Sequence, residues 1–352
     1  MWLSSSSVGR KFVMAFTGAA LVLFLTFHCL LNAIAICWPT TYNSVCEFLG
    51  ANWYALLASV VLAALIVIHI IYAVILTMKN RKARGDQQYA IQRRPATVEW
   101  SSQNMLVLGI VILAFLVVHL IQFWAKMQWA EITGHEEMLP PAAGTLFIQK
   151  AFELPWTAIV YIVGFVALWF HLNHGIWSMF QSVGWDSTVW IPRLKKIAMW
   201  WASLILVCFT AQVIVFTVKA HEGFYRTNPE LRDQYMAMLP AMYERDFGPD
   251  AGQLSMMFDV LGYDELKQTV EKQTLMNWDM PENINDPRVQ AELSQITNPA
   301  MRAEAVKMYE RQLRMGKAWK KMYKLINYLE GRPIESKPEV QMPQMYGYPG
   351  MY

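Results

Sequence analysis

The sequence predicts an all-α integral membrane protein of five transmembrane helices followed by a helical C-terminal extension, and three observations predict it. Of the 352 residues, 55% are hydrophobic and only 16% charged, where a soluble domain carries about 25% charged residues. Five apolar runs reach the length of about 20 residues that crosses a bilayer: Phe12 to Cys37, Ala51 to Met78, Ser101 to Ala125, Leu154 to Trp185 and Ile197 to Val218. The charge pattern then changes after Lys219, with 14 Lys or Arg against 8 Asp or Glu before that point and 16 against 19 beyond it. Membrane statistics govern the first part and soluble ones the second. The basic residues sit in short loops beside apolar spans rather than along a groove-sized surface, which gives no footprint for nucleic acid.

The first run follows Arg10 and Lys11 and so has the look of a secretory signal. Its length exceeds that of a signal h-region and no small-x-small site ends it, so it reads as a retained first helix. Orientation comes from the flanking bases. An N-terminus inside the cell places Arg10, Lys11, Lys79, Arg81, Lys82, Arg84, Arg93, Arg94, Arg193, Lys195 and Lys196 on the cytoplasmic side, as the excess of Lys and Arg in cytoplasmic loops requires. Lys126, Lys150 and Lys219 are left outside, with the acids of two outer loops, Trp38 to Gly50 and Met127 to Glu153. An odd number of crossings then puts everything after Lys219 on the outer face.

That extension divides into helical patches over 220–330, punctuated by Pro229, Pro240, Pro281, Pro287 and Pro299, and a tail over 331–352. Its longest patch is Ala300 to Glu330, where Val306, Tyr309, Leu313, Met322, Ile326 and Leu329 recur near helical spacing and must pack on something. The tail, rich in Pro, Met, Gly and Tyr, reads as disordered unless a partner orders it. A helical cap lying against the membrane is the expectation, with a contact surface for another respiratory or periplasmic protein as the sharper version.

The spans carry the chemistry. His28, His69, His119 and His171 each sit inside a different apolar run, and an imidazole at such depth needs a partner. For one histidine alone, a hydrogen bond to a neighbouring carbonyl suffices. Four of them at matched depths argue for haem iron, which takes neutral imidazole. Counting from the flanking charges puts His28 and His119 in the outer half of the membrane and His69 and His171 in the inner half. Two bis-histidine haems, one above the other, follow as the economical arrangement, so the five helices are expected to bundle around two haems. Gly18 and Gly109 lie ten residues before His28 and His119, about 15 Å toward the cytoplasm, at the level of the inner pair. Glycine there would let a flat macrocycle approach the backbone, although glycines also serve to pack membrane helices on each other.

The string S-S-V-G-R-K-F-V-M-A-F-T-G, running on through Phe27-His28 to Asn32, and the later H-L-N-H-G-I-W-S-M-F-Q-S-V-G-W resemble the dihaem cytochrome b subunit of succinate:quinone oxidoreductases and fumarate reductases, in the form with a single five-helix membrane subunit. The resemblance covers about Ser5 to Lys219. The family's H-x-x-[NH]-G motif on the fourth helix maps its ligand onto His171 and leaves His174 in the variable place. The remaining ligands map onto His28, His69 and His119. The resemblance implies two haem b groups, with His28 and His119 on the distal iron and His69 and His171 on the proximal one. It also implies a quinone, of the menaquinone type in dihaem members, as substrate. A flavoprotein and an iron-sulfur subunit at the cytoplasmic face would carry the FAD, the clusters and the dicarboxylate site. The location implied is the bacterial inner membrane, with the N-terminus cytoplasmic and the extension periplasmic.

A quinol that gives up electrons must also release protons, so its site needs a titratable group. In some relatives a glutamate of the first outer loop has this role, and Glu47 is the only acid in that loop here. A solvated carboxylate is the competing reading. Relatives with a glutamate two residues before the fourth-helix ligand differ from this chain, which has Trp169 there. His135 and His221 read as ordinary loop residues. The four cysteines, Cys29, Cys37, Cys46 and Cys208, lack ferredoxin spacing. Cys37 and Cys46 either pair across the first outer loop or stay free. Two other functions stay open, a dihaem subunit of another respiratory oxidoreductase and a transporter or structural membrane protein without haem.

Overall fold

The computed structural model describes residues 6–84, 100–133 and 138–338. His135 and residues 339–352 of the tail therefore lie outside the described residues. Among the described residues there is no strand. The helices of eight residues or more are α1 (Ser7–Cys37), α2 (Pro39–Ala51), α3 (Trp53–Arg84), α4 (Met105–Gln122), α5 (Gly144–Phe152), α6 (Pro155–Ser182), α7 (Trp190–His221), α8 (Pro229–Met242), α9 (Ala251–Val260), α10 (Tyr263–Met276), α11 (Pro287–Ser294) and α12 (Pro299–Glu330). Five of them, α1, α3, α4, α6 and α7, are long and apolar enough to cross a membrane, α4 being continued by a π-helical turn to Trp129. The chain divides into two compact units, one ending at Tyr225 and the other beginning at Arg226 and including Met138–Pro140. The boundary expected after Lys219 falls two residues inside α7.

In the first unit, α1 begins where the Ser6 hydroxyl accepts the Gly9 N–H at 2.9 Å, which satisfies one of the free donors of the first turn. It packs against α3, α6 and α7, and α6 packs against α4, α1 and α7. The α6–α7 seam is built on Leu172 and Ile176 against Ala198 and Ala202, with Trp169, Trp177 and Trp201 around them. The alanines let the two backbones approach closely, as membrane helices do. Phe16, Leu23, Val60, Ile71, Val107, Ile159 and Leu204 point outward. Those outward faces suit lipid, which solvates apolar side chains at no cost.

Two stretches expected to lie in loops are helical instead, Pro39–Ala51 and Gly144–Phe152, which corrects the sequence expectation there. Trp38 breaks α1, and Pro39 starts α2 in the first-turn position where its missing N–H costs nothing. The fully buried Asn43 of α2 accepts both the N–H and the hydroxyl of Thr145 at 2.9 Å. That double bond ties α2 to α5, which is buried along nearly its whole length. Gln149 of α5 donates to the carbonyl of Ala220 at 2.7 Å, and Lys219 to that of Ile36 at 3.0 Å. The cysteines are all free. Cys37 is exposed and Cys46 half-buried, and the two are not paired in this structure; burial pushes the Cys46 thiol up to about 12.

The second unit is helical, and its three Asx-Pro pairs explain where its helices start. Asn228, Asp286 and Asn298 each accept a first-turn backbone N–H, at 3.1, 2.9 and 2.9 Å, and Pro229, Pro287 and Pro299 follow as first residues of α8, α11 and α12. Helix α12 ends on Gly331, whose φ of 69° is the left-handed conformation that closes helices. Of the expected apolar stripe, Leu313, Met322, Ile326 and Leu329 are buried while Val306 and Tyr309 are half-buried. Only its second half is covered, mainly by α10 and the short helix Glu244–Phe247. At the end of α12, burial alone would push the Glu330 carboxyl up. Hydrogen bonds from Tyr263 and Lys267 and the charge of Arg232 outweigh it and hold it below its ordinary value.

Candidate functional site

The four histidines from four different helices meet as two pairs. The rings of His28 on α1 and His119 on α4 have centroids 5.8 Å apart, and those of His69 on α3 and His171 on α6 lie 6.3 Å apart. These are the pairs expected from depth alone. Thr17, which touches His69, lies eleven residues before His28 on α1. By helical rise that separates the two pairs by about 16 Å along the helix.

Each pair holds one ring in a fixed tautomer. Thr17 gives its hydroxyl proton to the carbonyl of Val13 at 2.9 Å, so its oxygen is an acceptor at 3.1 Å from Nδ1 of His69. Tyr161 on α6 gives its proton to Oε1 of Gln122 at 2.9 Å, so its oxygen is likewise an acceptor at 3.1 Å from Nδ1 of His119. With the hydroxyl protons placed on those acceptors, Nδ1 is the donor in both rings and Nε2 keeps the lone pair. This is how metal-bound histidines are commonly oriented, with the second nitrogen donating to a neighbouring group. The other two rings differ. The buried Nδ1 of His171 has no hydrogen-bond partner, and His28 is flanked by the rings of Phe24 and Phe209 at 5.4 and 6.2 Å.

The sequence reading missed Thr17, Tyr161 and Gln122. Thr17 lies within the quoted N-terminal string, but its bond to His69 spans 52 positions and that of Tyr161 to His119 spans 42, so no periodicity reveals either. Gln122 also donates to Thr157 at 3.4 Å, which completes a polar chain in an otherwise aromatic environment of Phe115, Phe123 and Phe152.

Among the described residues no three His, Cys, Asp or Glu side chains converge as a metal site. Haem asks for less, since its macrocycle supplies four ligands and the protein at most two. Metal-imidazole bonds of about 2.0 Å, added to the ring radii, put the centres of two opposed rings roughly 6 Å apart, and both pairs match that spacing. Edge-to-face stacking of bare rings gives similar distances, but does not account for two such pairs at two depths, each with a ring presenting a free Nε2. The residues fit a bis-histidine haem at both places.

The other expected site residues are distributed as follows. Gly18 lies beside the His69–His171 pair: a Cβ there would stand 3.7 Å from Cε1 of His69. A Cβ on Gly109 would meet nothing within 4 Å. His174 packs edge-on against Trp177 at 4.9 Å rather than on His69. Glu47 is exposed on α2, and none of the contacts described above joins it to the His28–His119 pair. His221 is exposed at the end of α7, with Nδ1 2.8 Å from the Thr217 carbonyl oxygen. No family model matches the chain, and no curated protein or solved structure matches it.

Proposed function

We propose that this chain is the dihaem cytochrome b membrane subunit of a succinate:quinone oxidoreductase or quinol:fumarate reductase. The observation that carries the reading is the convergence of four intramembrane histidines, one per helix, into two pairs at two depths. Bound haem supplies a one-electron iron couple at each pair. The chain's own part is to present Nε2 of His119 and His69 with its lone pair, to oppose it with His28 and His171, and to keep water away with the surrounding aromatic rings. The N-terminal string and the fourth-helix motif then favour complex II over other dihaem respiratory subunits. In this reading a flavoprotein and an iron-sulfur protein dock at the cytoplasmic face, and electrons pass between them and a membrane quinone. In the same reading the extension, residues 220–352, would lie on the periplasmic side.

The test is purification of the chain from its membrane. It should bring with it one flavin-containing and one iron-sulfur-containing subunit, and succinate should reduce its haems. Protease added to spheroplasts beforehand should trim the extension without releasing those partners. Partners of other chemistry, or trimming only in inside-out vesicles, would contradict the complex or the orientation.

Glu47 enters the proposal as the proton acceptor for quinol. Its exposed place on α2 makes it reachable from the membrane surface, where a quinone headgroup would sit. Glu47→Gln keeps the shape and removes the titratable proton, so quinol oxidation should fall about a hundredfold or more, within the range of a lost general base. Both haems and succinate oxidation by an artificial acceptor should persist. Unchanged quinol turnover would return Glu47 to the role of a solvated carboxylate.

A further inference from the structure

Resting on the haem reading above, we propose that Tyr161 and Thr17 are positioning residues that set the midpoint potentials of the two haems separately, one through His119 and the other through His69. Each is the one hydroxyl that accepts a ring proton in its pair, at 3.1 Å in both cases. Their own protons go elsewhere, to Gln122 Oε1 at 2.9 Å and to the Val13 carbonyl at 2.9 Å. With its proton so engaged, each hydroxyl faces the imidazole as an acceptor. A ring whose Nδ1–H is accepted by an oxygen becomes a more electron-rich ligand, and an electron-rich axial ligand favours ferric over ferrous iron. Both hydroxyls hold their iron's potential down.

The two supports are not equivalent. Tyr161 is buried, with 4% of its surface exposed, and its proton is taken by a side chain that is itself bonded to Thr157. That chain runs from α4 to α6 and back, so the orientation of His119 depends on how those two helices pack. Thr17 instead bonds back to its own helix, to Val13 and at 3.1 Å to Met14. The support of His69 is local to α1 and insensitive to α4. The two potentials can thus be adjusted by independent substitutions, which would let the chain set the driving force between its haems without changing any iron ligand.

The experiment is a redox titration of the b-type absorption in the purified complex, comparing the native chain with Tyr161→Phe and Thr17→Val. The haem retained in His171→Ala identifies the outer one. Tyr161→Phe should raise the midpoint of the outer haem by about 59 mV, a tenfold change in the ratio of reduced to oxidised iron at fixed potential, and leave the inner haem where it was. Thr17→Val should do the reverse. If Tyr161→Phe fails to keep its haem, Gln122→Leu serves in its place. It removes the acceptor of the Tyr161 proton but leaves the hydroxyl, so it should shift the same haem in the same direction by less. Equal movement of both haems in either variant, or no movement in any, would overturn the proposal and leave the haem reading intact. A native preparation without b-type absorption would overturn both.

Discussion

If the paired histidines hold haem as proposed, replacing His171 with Ala should cost the protein one haem of two, whereas His174→Ala should keep both. The two histidines are three residues apart on α6 and equally available to a sequence argument, yet the fold separates them. His171 faces His69 across 6.3 Å and carries a buried Nδ1 with no other use, while the ring of His174 is spent on Trp177. Without the His171 imidazole, His69 would be the one side chain of the pair left to hold iron, and the Thr17 hydroxyl, which lies at Nδ1 of His69, would not replace it. The measurement is haem per chain by pyridine haemochrome. Equal loss from the two substitutions, or loss only from His174→Ala, would contradict the pairing.

A comparable loss at the other pair should follow from Gly164→Val. Gly164 is buried on α6, and a Cβ there would stand 2.5 Å from Cγ and 2.8 Å from Cβ of Phe115 on α4. Atoms that close to a ring's attachment point cannot be relieved by a small rotation, so Phe115 or the whole of α4 must move. Phe115 lies against both His119 and Tyr161, at 5.9 and 5.0 Å between ring centres, so the displacement reaches the outer pair directly. Overpacking of this kind costs about 1–3 kcal/mol, and the branched side chain of Val adds atoms beyond the first clash. The variant should lose the outer haem, keep the inner one and melt at lower temperature. Gly164→Val with both haems at native occupancy would mean that α4 and α6 do not meet at this contact.

What the sequence disclosed, and what it did not, follows from the range of the forces involved. The five spans are legible because a bilayer demands about 20 apolar residues in succession, and the pairing of His28 with His119 and of His69 with His171 is legible because depth can be counted from flanking charges. Helices α2 and α5 were read as loops. They are short and carry polar residues such as Asn43, Thr145 and Gln149, whose burial becomes affordable only through bonds made across the fold. The same holds for Tyr161, whose role depends on a partner from another helix. Spacing points to Gly18 and Gly109, but a side chain is refused by a neighbouring helix at Gly164, against Phe115, and at Gly144, against Tyr42 and Cys46, and only the packing distinguishes these from Gly109. In the extension, the prolines were read as punctuation. The preceding Asn228, Asp286 and Asn298 turn three of them into helix starts, a pattern legible in the Asx-Pro dipeptides themselves.

The most direct test of the central claim is a reduced-minus-oxidised visible spectrum of the purified chain, combined with its haem content. The account predicts b-type absorption from two haems per chain, with one lost in His171→Ala and the other in His119→Ala. A chain with no b-type band, or with a single haem that survives both substitutions, would show that the paired histidines are packing contacts between helices and that the function proposed here is wrong.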